Sequence, residues 1–223
     1  FLSDTQGNVL AGTDGSYITQ TSPTGQTSVV AGTGTAGGRG DGGQARNAQL
    51  YFPSGLAYDA AGNLYVADYY QEVVRKIDPK GIITTIAGSG NIAASGDGGP
   101  AIAAGVDPID VAVDAAGNVY IADWQNNRIR KIGSDGKIST IAGVKGLAGY
   151  AGDGGQAAQA SLDSPASVAV DAQGNVFIAD EGNSVIRRIN AATGVIDTIA
   201  GNGEFFPFSL GDGSARSVAM DPA

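Results

Sequence analysis

The sequence of 223 residues contains no cysteine and no histidine. Disulfide bonds, thiolate nucleophiles, and zinc or haem ligation through these side chains are therefore excluded. The lack of cysteine is compatible with bacterial secretion and with the cytosol alike. No apolar run approaches the roughly 18 residues that a membrane span requires. We therefore expect no metal site, no cofactor and no membrane span.

Positive charge is also scarce, with 13 lysines and arginines against 22 acidic residues and a net charge of −9. Such a chain repels a phosphate backbone, so no nucleic-acid partner is expected. Hydrophobic residues make up 42% of the chain, enough for a packed core, and 36 glycines separate short apolar runs. This composition is typical of an all-β protein with many turns.

One phrase recurs along the chain. It reads Gly-Asn-Leu-Tyr-Val-Ala-Asp at 62–68, Gly-Asn-Val-Tyr-Ile-Ala-Asp at 117–123 and Gly-Asn-Val-Phe-Ile-Ala-Asp at 174–180, with a decayed copy at 7–12. The copies begin at 7, 62, 117 and 174, which are intervals of 55, 55 and 57 residues. A fixed period of this length indicates an array of like modules.

Each module reads as four short strands in up-and-down order. In one copy they are 109–114, 119–122, 128–132 and 137–142. Short strands that are apolar on both faces need cover on both sides, which sheets stacked around an axis provide. The predicted fold is all-β: a β-propeller of four-stranded antiparallel blades. The chain is expected to form one domain, 1–223, with blades at about 1–31, 54–87, 109–142 and 166–200.

The linked pattern resembles a known repeat. Thr-Ile-Ala-Gly is followed by Gly-Asp-Gly-Gly, Pro, Val-Ala-Val-Asp, Gly-Asn-Val-Tyr-Ile-Ala-Asp and Asn-Arg-Ile-Arg-Lys-Ile. This order is similar to the NHL repeat, in its bacterial type with long Gly-Asp-Gly-Gly loops. Three good copies and one poor copy cover almost the whole chain. The resemblance implies a secreted or cell-surface bacterial protein.

The two chain ends leave the blade number open. Residues 215–223 carry a first-strand pattern that could complete the blade at 1–31 and close a ring of four. However, Ser3–Asn8 parallels Val170–Asn175, so 1–4 already resembles the end of a first strand. The alternatives are a larger ring, since NHL propellers commonly have six blades, and pairing of the surplus strand with a neighbouring subunit.

Some charged residues repeat from module to module, which indicates a structural role. Aspartates that end the second strands are expected to accept backbone N–H groups. Aspartates of the Gly-Asp-Gly-Gly loops are expected to fix those loops rather than to bind calcium, and third-strand arginines to pair with carboxylates. The second-strand aspartates are Asp68, Asp123 and Asp180. The loop aspartates are Asp41, Asp97 and Asp153, and the third-strand arginines are Arg75, Arg130 and Arg187.

The position after the repeated second-strand aspartate varies, which is typical of recognition residues on loops. It holds Tyr69, Trp124 and Glu181. Exposed aromatic residues suit protein or sugar contacts. In an up-and-down blade, the Gly-Asp-Gly-Gly loops and the turns after the second strands are expected to share one face, the loop face. The predicted ligand-binding residues on this loop face are Tyr69, Tyr70, Trp124, Tyr150, Glu181, Phe205 and Phe206. For the phenylalanines, the alternative is that residues 205–208 only fill the shortened last loop.

The leading functional hypothesis is a non-enzymatic extracellular scaffold that binds a protein or carbohydrate ligand through this face. One alternative is a subunit of a surface filament or homo-oligomer formed by strand sharing. Another is a lyase-type propeller enzyme. The lyase is disfavoured because propellers of related build use histidines with a metal, and this chain has no histidine.

Overall fold

The computed structural model describes residues 1–144 and 147–203 and contains four four-stranded antiparallel sheets. The first sheet contains β1 (Leu2–Ser3), β2 (Val9–Thr13), β3 (Tyr17–Thr21) and β4 (Thr27–Ala31). The second contains β5 (Pro53–Tyr58), β6 (Leu64–Asp68), β7 (Val73–Ile77) and β8 (Ile83–Ala87). The third contains β9 (Pro108–Val113), β10 (Val119–Asp123), β11 (Arg128–Ile132) and β12 (Ile138–Ala142). The fourth contains β13 (Pro165–Val170), β14 (Val176–Asp180), β15 (Val185–Ile189) and β16 (Ile196–Ala200).

Within every sheet the strands follow chain order, as in a meander, so the predicted all-β class is confirmed. β5, β9 and β13 each begin at a proline. Proline suits the first residue of a strand because it has no N–H to contribute to the ladder. Each of these prolines therefore marks where a connecting loop ends and a blade begins.

An Asp-x-x-Gly-Asn turn joins the first and second strands of each sheet. In the second sheet, Asp59 Oδ1 accepts the backbone N–H groups of Ala61 and Asn63 at 2.9 and 2.8 Å. The side-chain amide of Asn63 donates to Asp59 Oδ2 at 2.7 Å. Gly62 has a φ of 81°, a conformation that glycine adopts without a Cβ penalty. The same turn is built around Asp4, Asp114 and Asp171.

Three hydrophobic cores lie between successive sheets, so each sheet is covered by its neighbour. The core between the first two sheets joins Leu10 and Ile18 to Val66 and Ile83. Each core also receives three buried side chains from the preceding inter-blade loop: Ala45, Ala48 and Leu50; Ala101, Ala104 and Val106; Ala157, Ala160 and Leu162. The long loops are therefore part of the packing between blades.

The Gly-Asp-Gly-Gly connection runs along the outermost strand of the sheet that follows it. Asp41 Oδ2 accepts the Thr85 N–H at 3.0 Å, while the Ala45 N–H donates to the Gly81 carbonyl at 2.8 Å. Gly81 lies in the hairpin between β7 and β8, at the opposite end of the sheet from the turn after Asp68. The connection thus spans both ends of the sheet, and the expectation that it lies on one face is wrong.

At the N-terminus, Leu2 and Ser3 pair with Leu10 and Val9 and occupy the first-strand position of the first sheet. This strand has two residues, whereas β5, β9 and β13 each have six. Residues 215–223 lie outside the described residues. Closure of a four-bladed ring by that segment, and the larger-ring alternative, therefore stay predictions.

Candidate functional site

A buried arginine ties together two aspartates in each of the last three sheets. Arg130 Nη1 donates to Asp123 Oδ2 at 3.2 Å, and its Nη2 donates to Asp97 Oδ1 at 2.9 Å. Its remaining partners are the carbonyls of Gly105 and Ser95, at 3.2 and 2.9 Å. The corresponding ties are Arg75 with Asp68 and Asp41, and Arg187 with Asp180 and Asp153. The arginine side chains are fully buried in all three.

The second-strand aspartate of each tie also holds the end of the preceding loop. Asp68, Asp123 and Asp180 accept the N–H groups of Tyr51, Asp107 and Asp163 at 2.6, 2.7 and 2.8 Å. Burial raises the pKa of Asp68 and of Asp180 to about 6, against the opposing effects of these hydrogen bonds and the arginines. The geometry provides anchoring for the loop ends.

The first sheet lacks this tie. Thr13 ends its second strand, and Thr19 pairs with Ala11 as Arg75 pairs with Val66 in the second sheet. The first sheet therefore lacks both the aspartate and the arginine of the tie. The pattern indicates that the arginine and the aspartate form one structural unit.

Five aromatic rings cluster at the junction of the second and third sheets; we call them the aromatic rim. They are Tyr51, Phe52, Tyr69, Tyr70 and Trp124. Tyr70 is at the centre, with ring centroids 4.7 Å from Tyr69, 5.0 Å from Tyr51 and 5.4 Å from Phe52. Trp124 meets Tyr69 edge-on at 6.1 Å, across the boundary between the sheets. Tyr70 is 53% exposed and Tyr51 43%, so these two rings face solvent, whereas Tyr69 is buried beneath them.

The rim lies on short turns that the backbone holds in place. Tyr69–Gln71 is a 3-10 turn directly after β6, and Tyr51 and Phe52 directly precede β5. The N–H of Tyr70 donates to the Tyr51 carbonyl at 3.1 Å, and that of Tyr69 to the Phe52 carbonyl at 3.3 Å. Since both segments are attached to the same sheet, their rings are pre-positioned without a ligand.

Two carboxylates adjoin the aromatic rim; we call Glu72 and Asp107 the acidic pair. Glu72 ends the turn of Tyr69, with a left-handed φ of 58°. The Asp107 carbonyl accepts the Trp124 N–H at 2.9 Å, and its Oδ2 accepts the Gln125 N–H at 3.1 Å. Burial raises the pKa of both, Asp107 raises that of Glu72 further, and Asp123 raises that of Asp107. Once the pH exceeds both raised pKa values, the two carboxylates together bring negative charge to the rim.

The other predicted binding residues lie apart from this cluster. Tyr150 is 49% exposed, but its ring faces Arg187, whose guanidinium carbon is 5.5 Å from the ring centroid, and its hydroxyl meets Thr198 Oγ1 at 2.8 Å. Glu181 opens the 3-10 turn Glu181–Asn183 of the fourth sheet. Phe205 and Phe206 lie outside the described residues. Of the seven predicted residues, Tyr69, Tyr70 and Trp124 are brought together.

Tyr51, Phe52 and the acidic pair were not predicted from the sequence. A signal was available, because Tyr51 occupies the loop-end position at which Asp107 and Asp163 stand in the next two modules. An aromatic residue that replaces a repeated aspartate marks a departure from the structural pattern. Its contact with Tyr70 could not be seen without the fold.

Neither a metal cluster nor a spanning helix is found in the part of the chain that the structure describes. Across 1–144 and 147–203, no group of three or more histidine, cysteine or acidic side chains could hold an ion. Over the same residues, no helix has the length and apolarity to cross a bilayer.

Four antiparallel meander sheets, stacked in chain order with repeated Asp-x-x-Gly-Asn turns, define a β-propeller. Residues 16–96 and 148–209 match the family model of the Teneurin NHL domain, and 106–132 match that of the NHL repeat. The chain belongs to the family of teneurin NHL domains. The resemblance to NHL repeats that the sequence indicated is thereby confirmed.

Human Teneurin-1 is 32% identical over 178 residues, a match that spans 73% of this chain and 6% of Teneurin-1. An auxiliary nutrient binding protein from Bacteroides ovatus has a TM-score of 0.66 and 14% identity, covering 99% of this chain and 51% of that one. Virginiamycin B lyase from Staphylococcus aureus has a TM-score of 0.56 and 14% identity, covering 89% and 53%. At such identities the solved structures share the fold alone. The chain spans about half the length of these two structures and a small part of Teneurin-1.

Proposed function

We propose that this chain is a non-enzymatic binding module that works outside the cell and holds a protein or carbohydrate ligand on the aromatic rim. The observation that carries the proposal is the set of five mutually packed rings with Tyr70 and Tyr51 open to solvent. Rigid, partly exposed aromatic groups supply contact area at little entropic cost, and they are enriched at binding hot spots.

Two further observations support binding over catalysis. The repeated charged side chains are engaged in the loop ties, so they are occupied in structural roles. The chain has no histidine, whereas a histidine-to-alanine variant of the Staphylococcus aureus lyase is described as catalytically inactive. The lyase alternative therefore lacks the side chain on which that relative in fold depends. An extracellular setting is supported by the resemblance to the bacterial long-loop NHL repeat.

The test compares two surface variants against panels of cell-surface proteins and polysaccharides. Tyr51→Ala/Tyr70→Ala removes the two most exposed rings of the rim. The matched control is Ile102→Ala, which truncates a 50% exposed apolar side chain next to the hairpin at the opposite end of the third sheet. Dissociation constants are measured by biolayer interferometry.

For a partner of the wild-type chain, we expect the double variant to bind at least about tenfold more weakly, since buried aromatic anchors dominate binding energy. The Ile102→Ala control should bind as the wild type does. If both variants bind equally well, the ligand does not use the aromatic rim. Light scattering of the free chain tests the remaining alternative, a homo-oligomer.

A further inference from the structure

Three tyrosine rings elsewhere in this chain are covered by cations from the chain itself. Lys76 Nζ lies 5.6 Å from the centroid of Tyr65, and Lys131 Nζ lies 5.2 Å from that of Tyr120. Tyr150 is faced by Arg187 in the same way. In the first two cases the tyrosine hydroxyl also donates to an aspartate, at 3.1 Å to Asp59 and 3.0 Å to Asp114. Ring, cation and carboxylate thus occur as a set.

The aromatic rim also brings tyrosine rings close to carboxylates, those of the acidic pair, but it differs in its cations. Within 1–144 and 147–203, no lysine or arginine lies over Tyr51, Phe52, Tyr69, Tyr70 or Trp124. In the same residues, neither member of the acidic pair has a cationic group within ion-pair distance. Arg130 forms an ion pair with Asp123 but not with Asp107, whose carbonyl accepts the Trp124 N–H. The junction therefore keeps uncompensated negative charge beside exposed ring faces.

We propose that the aromatic rim receives a lysine or arginine side chain from a basic segment of a protein partner. This inference rests on the proposed function. The cation would lie against the Tyr70 ring, with Glu72 at its edge and the buried Asp107 adding attraction from behind. A cation over an aromatic face is attracted by the ring quadrupole, and a nearby carboxylate adds to this. The net charge of −9 favours approach of such a partner.

The corresponding position on the fourth sheet shows why the rings are needed for this assignment. Glu181 and Asp163 stand there with Gly182, so the negative charge is present without an aromatic face. General attraction of a basic peptide would act at both places. Specific seating of a side chain requires the junction of the second and third sheets.

The experiment uses the whole chain and three ten-residue peptides of alternating Gly with Lys, Gln or Glu, together with cellohexaose as a sugar probe. Trp124 is the single tryptophan, so its fluorescence reports directly on the rim. Calorimetry gives the dissociation constants. The variants are Tyr70→Ala, Tyr70→Phe and Glu72→Gln, with Glu181→Gln as the control that removes the same charge from the fourth sheet.

We expect the Lys peptide, but not the Gln or Glu peptides, to change Trp124 emission with saturation. Tyr70→Ala and Glu72→Gln should each weaken its binding about fivefold or more, whereas Tyr70→Phe and Glu181→Gln should stay within about twofold of the wild type. Equal weakening by Glu72→Gln and Glu181→Gln would show non-specific charge attraction and overturn the inference.

Other outcomes separate this inference from the proposed function. In one of them, cellohexaose or a neutral protein is the probe that changes Trp124 emission. If its binding is weakened by Tyr70→Ala but unchanged by Glu72→Gln, the rim binds ligands but not a cation. In that case the binding function stands and the basic partner is wrong. If raising the concentration of the chain without any peptide changes Trp124 emission, and light scattering shows a dimer, the rim is occupied by a second copy of the chain. The inference is then overturned as well.

Discussion

Replacing Arg130 with methionine tests whether the Arg-Asp tie holds the blades as a unit. The substitution keeps an apolar stem but deletes a guanidinium that donates to Asp123, Asp97 and two carbonyls. Asp123 is fully buried, so its charge would lose its only ion-pair partner among the described residues. Breaking a buried pair by removing one partner costs about 3–5 kcal/mol. We expect the free energy of unfolding to fall by that amount.

The assay is urea unfolding followed by far-UV circular dichroism, with two companion variants. Lys137→Met removes a surface pair with Asp135, in which both side chains are 61% exposed, and should cost under about 1 kcal/mol. Arg130→Met/Asp123→Asn should recover about 1–2 kcal/mol of the loss, because position 123 then carries no unpaired charge and the amide oxygen can still accept the Asp107 N–H. A loss below about 1 kcal/mol for Arg130→Met, or a double variant no more stable than Arg130→Met, would refute this reasoning.

Two further outcomes follow from the backbone and the buried carboxylates. Because the folded-state pKa values of Asp68 and Asp180, about 6, exceed the ordinary 3.8, these groups favour folding at low pH, and their contribution is lost as pH rises from about 4 to 6. Asp68→Asn should therefore flatten the decline of the unfolding free energy across that range, and an unchanged slope in urea titrations would contradict the assignment. Gly62→Ala should cost about 1 kcal/mol, since its φ is 81° and a Cβ would meet only Pro79 at 3.7 Å. Gly88→Ala should cost at least twice as much because a Cβ there would collide with the Glu72 carbonyl, and equal melting temperatures for the two variants would disprove this steric argument.

The blade pattern could be predicted from the sequence because local chemistry determines it. Asp59, Gly62 and Asn63 form their turn through contacts no more than four residues apart. Alternating turns and short apolar runs then fix four strands per module, and each of the four sheets has four strands. The position of the Gly-Asp-Gly-Gly loops was not predictable in this way, since Asp41 bonds to Thr85, 44 residues away.

The candidate site was only partly predictable, because it is assembled from different modules. Tyr69 and Trp124 are 55 residues apart and meet because they follow the second strands of adjacent sheets. Divergence at that position was visible in the sequence and pointed to the two turns whose rings meet in the aromatic rim. The opposite happened at Tyr150, which was grouped with them as an aromatic residue but is turned onto Arg187. Residue type alone does not show which neighbour a ring will face.

The separation of structural and divergent positions explains how one junction can acquire a binding surface. In a repeat array each module contacts chiefly its neighbours, so stability is close to a sum of local terms. The first sheet shows how local these terms are, since Thr13 and Thr19 replace the tie while Leu10 and Ile18 still fill the core. Rings placed on the turns after Asp68 and Asp123 therefore leave the ties and cores of the other junctions intact. Accordingly, changes at Tyr70 should alter recognition while the unfolding free energy stays near that of the wild type.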